Sequence, residues 1–81
     1  MSYEEAKAKI SIRSIYRHYK GDWYEVMAIA KDAETKEPIV IYQDISNRAF
    51  FWTRPASMWF DEVDNGVKRF ELYQKFEFEL Y

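Results

Sequence analysis

"IYRHYKGDWYEV", residues 15–26, decides the fold. Alternation along an extended chain puts Ile15 and Arg17 on one face and Tyr16 and His18 on the other, and Gly21 within "KGD" supplies the positive-φ position of a tight turn. The stretch therefore reads as a β-hairpin. Its first strand extends back over 12–19 and its second runs from Trp23 to Lys31. In the second, Tyr24, Val26, Ala28 and Ala30 share one face and Trp23, Glu25, Met27 and Ile29 the other. With apolar residues on both, the strand is either covered on both sides or bent strongly enough to serve both halves of a small barrel.

The same alternation, cut by turn signals, continues outward from the hairpin. "KDAETKEP" is a polar connection to a third strand over Ile39 to Asp44, and "SNRA" turns the chain into a fourth over Phe50 to Arg54. Pro55 stops that strand, and "PASMWF" forms one helical turn near residues 55–60. After "DEV", the turn "DNG" leads to a fifth strand over Val67 to Tyr73. "FEFELY" at residues 76–81 alternates strictly, which makes 74–81 an additional strand and a candidate pairing edge for a second copy. At the other end, Ser2 and Glu5 have capping-box spacing, so 1–11 contains a short helix that lids one end of the domain. Together these describe one mainly all-β domain over 1–81, a small SH3-like β-barrel of five to six strands.

Composition fits that size. A chain of 81 residues buries only about 60% of its unfolded surface, but 20% of its residues are aromatic, and each can bury roughly 150–250 Å². Most of the sixteen aromatic side chains therefore belong in the core. The absence of cysteine rules out disulfides and thiolate metal sites. No apolar run is long enough to span a bilayer and no signal core opens the chain, so a cytoplasmic protein without membrane contact is expected.

A net charge of −2 disfavours a nucleic-acid partner. Its distribution is uneven: Lys7, Lys9, Arg13, Arg17 and Lys20 are interrupted by no acid, whereas residues 61–81 carry six acids against three bases. Either a basic binding face or two segments that pair in the fold would give this split.

Catalytic groups are few. With one histidine and no cysteine, no histidine–cysteine or two-histidine constellation can form, and no nucleophile-elbow sequence accompanies Ser11, Ser14, Ser46 or Ser57. Asp61, Glu62 and Asp64 lack EF-hand spacing and flank the "DNG" turn, so no metal is expected. Gly21 and Gly66 both sit in turns, which leaves no phosphate-binding glycine loop. What stands out is an aromatic and basic group, of which Tyr16, His18, Lys20, Tyr42, Trp52 and Arg54 form the candidate ligand-binding face. Arg54, between Trp52 and Pro55, either grips a carboxylate or phosphate or pairs with Glu25 or Asp61 within the fold.

The stretches "YRHYKGDWYEVMAIA" (Tyr16–Ala30), "ETKEPIVIYQ" (Glu34–Gln43), "FWTRPASMWFDEV" (Phe51–Val63) and "KRFEL" resemble the short bacterial and phage domains of unknown function that share a Tyr-Arg-His-Tyr-Lys-Gly opening. The resemblance implies an SH3-like β fold and no particular activity. Its hallmark positions fall here on Tyr16, Arg17, His18, Tyr19, Lys20, Gly21, Tyr24, Glu25, Glu34, Thr35, Tyr42, Trp52, Arg54, Pro55 and Met58. Where that pattern has a Leu-Tyr-Gly loop after the third strand, this chain has "DISNRAF" without a glycine.

Four function classes are thus framed, of which RNA binding, whose affinity would fall steeply with salt, is held down by the net negative charge. The leading one is a non-enzymatic, cofactor-free binding module for a small anionic ligand or an acidic, extended partner. The second is a protein-interaction or homodimerisation unit that uses residues 74–81. An enzyme would depend on His18 alone.

Overall fold

The computed structural model describes residues 1–75. Helix α1 covers Tyr3–Lys9, and Ser2 caps it as expected: its Oγ accepts from the Glu5 N–H at 3.1 Å, and Glu5 Oε1 accepts from the Ser2 N–H at 3.4 Å. More than a lid, the helix sends Ala6 and Ile10 fully into the core. The chain then turns through Arg13, whose φ is 75°, so the first strand, β1, begins at Ile15 rather than at Ile12 and ends at His18. Strand β2 is Trp23–Lys31, and the two pair with Tyr16 opposite Tyr24 and Arg17 opposite Trp23. Gly21, at φ 110°, makes the turn between them.

Strand β2 serves two environments because it is bulged. Its register against β3, Pro38–Asp44, shifts between Val26 and Ala28, which lets Val26 and Ile29 both reach the core although they lie three apart. Strand β4, Asn47–Pro55, starts three residues earlier than alternation suggests, and its register against β3 shifts between Tyr42 and Asp44. The shift brings Arg48 to Gln43 and Glu25, while Trp52 stands opposite Tyr42 but remains half-exposed. The connection without a glycine is closed by Asp44, whose Oδ1 accepts from the Ser46 N–H at 2.8 Å and from its hydroxyl at 2.9 Å.

A single 3₁₀ turn, Ala56–Met58, follows. The expected fifth strand, Val67 to Tyr73, is divided into β6 (Val67–Lys68) and β7 (Phe70–Gln74), and β6 forms a small hairpin with an additional strand, β5 (Glu62–Asp64), around Asn65 and Gly66, both at positive φ. Arg69 makes the break. Its N–H donates to the Asp61 carbonyl, its own carbonyl accepts from the Tyr19 N–H, each at 2.9 Å, and its side chain grips the Asp61 carboxylate.

The main sheet is antiparallel with the order β4-β3-β2-β1-β7. Strands β4 and β7 are its edges and share no ladder, so among the described residues the expected small SH3-like barrel shows no closure, and the strands form a five-stranded antiparallel sheet beside a two-stranded one. Of the expected 74–81 strand, only Gln74 and Lys75 belong to the described residues, and the pairing role assigned to that segment lies outside them.

Side chains bridge the gap that backbone pairing leaves. Trp59, fully buried, stacks on Phe70 of β7 with ring centroids 4.0 Å apart and planes 9° from parallel. It also meets Tyr16 of β1 edge-on at 5.3 Å and Tyr42 of β3 at 5.1 Å. One residue after the 3₁₀ turn thus spans the core face from β3 to β7. Ala6, Ile10, Val26, Ile29, Val40 and Ala56 complete the packing.

Trp59→Ala should cost roughly 3–5 kcal/mol, a large share of the 5–15 kcal/mol typical of whole domains. A urea titration should show the midpoint collapse with Trp59→Ala, whereas removal of the half-exposed Trp52 ring should leave it nearly in place.

Candidate anion-binding site

His18 closes β1 and rests on the core's rim. Its ring meets Phe70 edge-on at 5.0 Å and Tyr24 at 6.1 Å, and lies tilted against Tyr19 at 4.6 Å. Because the hairpin turns immediately afterwards, the Lys20 backbone N–H donates to His18 Nδ1 at 3.2 Å. An imidazole that accepts at Nδ1 carries its proton on Nε2 and offers it outward as a donor. Burial lowers the His18 pKa, the nearby positive charges of Arg54, Arg69 and Lys20 push the same way, and Asp22 opposes them. Each of these except Asp22 favours the neutral ring.

Arg54 approaches from the far end of the sheet. It stands opposite Val40 near the end of β4, and its guanidinium lies over the Phe70 ring at 5.7 Å. Neither carboxylate expected to pair with it does so. Glu25 is taken by Arg13 Nε at 2.7 Å and Arg48 Nη1 at 2.6 Å, and Asp61 by Arg69 Nε at 2.9 Å. Among the described residues Arg54 makes no ion pair, and its buried Nε has no hydrogen-bond partner. A buried N–H left without an acceptor is costly. An anion at this rim would meet the guanidinium's outer N–H groups and neutralise its charge.

Tyr24 lies against His18, half-buried and edge-on to Tyr42 at 5.2 Å and Phe70 at 6.0 Å. Burial raises its pKa, Asp22, Asp44 and Tyr42 add to the rise, and Arg54 counters it. Lys20 and Tyr19 are exposed beside His18, with the ammonium 5.8 Å from the phenol ring's centroid. On its other side His18 shares a shallow pocket of 240 Å³ with Arg17, Tyr19, Val67, Lys68 and Glu71.

The structure thus gathers three of the six candidate residues, His18, Lys20 and Arg54, around the Phe70 ring and the turn. Tyr16 and Tyr42 are core residues, only 3% and 7% exposed, and form the floor beneath. Burial pushes the Tyr16 hydroxyl's pKa up, opposed by the Trp59 indole N–H, which faces it too loosely for a well-formed hydrogen bond. Trp52 is half-exposed, and its ring lies 6.2 Å from Phe50. Among the described residues, the basic run from Lys7 to Lys20 does not pair as a block with the acidic C-terminal part: Arg13 binds Glu25, and Arg17, opposite Glu71 on β7, lies over the Trp23 ring at 5.5 Å.

Sequence reading missed the part played by Phe70, since nothing in "KRFEL" distinguishes a ring that carries two polar side chains from any other strand phenylalanine. It also missed Glu25 as the hub of a buried network with Arg13, Arg48 and Gln43. A lone carboxylate between Tyr24 and Val26 was the available signal, since a charge in a two-sided apolar strand needs partners.

Comparison with known proteins agrees with this architecture. Residues 14–72 match the model of a family described as a protein of unknown function, DUF1653. A crystal structure of a protein belonging to DUF1653 from Bordetella bronchiseptica superposes with a TM-score of 0.65 at 35% sequence identity, covering 83% of this chain and 92% of that one. No curated protein matches the sequence. The chain belongs to the DUF1653 family.

The lowered His18 pKa has a stability consequence. Between the unfolded value of about 6.5 and the lower folded one, the unfolded chain takes up a proton that the folded chain refuses, so stability present above that window is lost as pH falls through it. Urea midpoints measured at about pH 7.5 and about pH 5.5 should fall on acidification, and by less in His18→Gln.

Proposed function

We propose that this member of DUF1653 is a non-enzymatic binding module, built on an SH3-like variant of the β-meander, that holds a small anionic ligand at the rim formed by His18, Lys20 and Arg54. The observation that carries it is Arg54: a guanidinium over Phe70 that no carboxylate neutralises among the described residues. Beside it, neutral His18 offers Nε2–H and Lys20 offers an exposed ammonium. Two fixed donors and a mobile charge suit a carboxylate or phosphate group. Tyr19, 45% exposed, gives such a ligand an aromatic surface to lie against.

Binding is favoured over catalysis by the state of His18. Its Nδ1 already accepts from the Lys20 N–H, and the cations around it disfavour protonation, so it is better suited to donate a hydrogen bond than to accept a proton. An acidic side chain of an extended partner would satisfy the same donors as a free metabolite. The SH3-like reading is supported by four strands in meander order, a 3₁₀ turn, and a last strand that returns to pair with the first.

A thermal-shift screen against inorganic phosphate, nucleotides and small carboxylates tests the site. A ligand present at about 100 times its Kd stabilises by about 2.7 kcal/mol, a shift on the order of 10 °C for a domain this small. The expected result is a hit that is lost in both His18→Gln and Arg54→Gln while the unliganded melting temperatures stay close. A hit that persists in both variants would place the ligand elsewhere.

A further inference from the structure

Among the described residues, strand β4 is an edge without the usual protection. Edge strands of monomers are commonly short, charged, or broken by proline, because their free backbone N–H and C=O groups otherwise pair with another chain. Here the edge is nine residues long, and its centre is Phe50, Phe51 and Trp52, which are 60%, 63% and 51% exposed. Proline comes only at its last residue. The charge at its start is already spent, since Arg48 bonds to Glu25 and Gln43, and Arg54 lies over Phe70 in the core rim.

We infer that β4 pairs antiparallel with β4 of a second copy of this chain, on a two-fold axis through Phe51, to join two five-stranded sheets into one. An antiparallel pair joined by a two-fold perpendicular to the sheet keeps each side chain on its own face, so the register sets residue 50 opposite 52 and 51 opposite itself. Phe50 then meets the partner copy's Trp52 at both ends, repeating between chains the contact the two rings already make within one. No charge enters the central stretch. The other edge, β7, carries Glu71 and leads directly into residues 76–81, and β4-to-β7 pairing would propagate without closing, whereas β4-to-β4 pairing closes on itself.

The area sets the strength. With about half of each ring exposed and roughly 150–250 Å² per aromatic residue, the six side chains would bury on the order of 700 Å², to which the paired main chain adds. That lies at the small end of specific interfaces, about 1,200 Å² and below, so the dimer is expected to be concentration-dependent. This inference is independent of the anion site.

Sedimentation velocity from micromolar to near-millimolar protein should show the average mass rising toward twice that of the monomer. Phe51→Lys and Phe51→Glu, each faced with its own like charge, should stay monomeric, while an equal mixture of the two should dimerise. Circular dichroism of each variant alone checks that it is folded. A wild type that remains monomeric throughout, or single variants that dimerise like it, would overturn the proposal. So would a chain ending at Lys75 that no longer dimerises, since that result assigns the interface to residues 76–81.

Discussion

Trp59 lies flat on Phe70, and without that stack an open sheet would have no enclosed core. The two edges, β4 and β7, are not joined by hydrogen bonds among the described residues, so the face between them has to be covered by something other than backbone. A large ring delivered by the 3₁₀ turn does this. It touches β1, β3 and β7 at once, through Tyr16, Tyr42 and Phe70. In so short a chain, one indole replaces what a longer protein achieves with additional strands.

The same stack prepares the candidate site. Phe70 is pinned from below by Trp59, and its upper part carries His18 edge-on and the Arg54 guanidinium. Two donors from opposite ends of the sheet are thereby set against one rigid ring. The β1–β2 turn fixes the third partner, because the Lys20 N–H that binds His18 Nδ1 also determines which imidazole nitrogen keeps its proton. Packing and electrostatics therefore act on the same few atoms, and a change in the core would be felt at the rim.

On the opposite face the cost of a buried charge is managed differently. Glu25 is almost fully covered yet accepts from two arginines whose own side chains stay about half in water. Solvated partners lessen the desolvation penalty that two fully buried ions would incur. The β4 bulge is what brings Arg48 within reach, so a local irregularity in one strand answers a polar requirement in another.

The hairpin, the capped helix, the 3₁₀ turn and the all-β class were legible in the sequence, since each depends on spacing within a few residues: Ser2 with Glu5, Gly21 in its turn, Pro55 before "ASM", and alternation along each strand. His18 and Arg54 stood out because charged groups in apolar strands need an explanation. What depends on residues far apart was not legible. Alternation gives each strand a face but says nothing of whether the last edge meets the first, and among the described residues the barrel expected from strand count shows no closure. Nor can spacing show that a bulge at Val26 or Asp44 re-phases a strand, that Arg54 escapes both carboxylates, or that Tyr16 and Tyr42 sink while Trp52 stays out. Local propensities are set by the next few residues along the chain, whereas burial and pairing are set by which distant surfaces close over one another, and only the tertiary structure decides that.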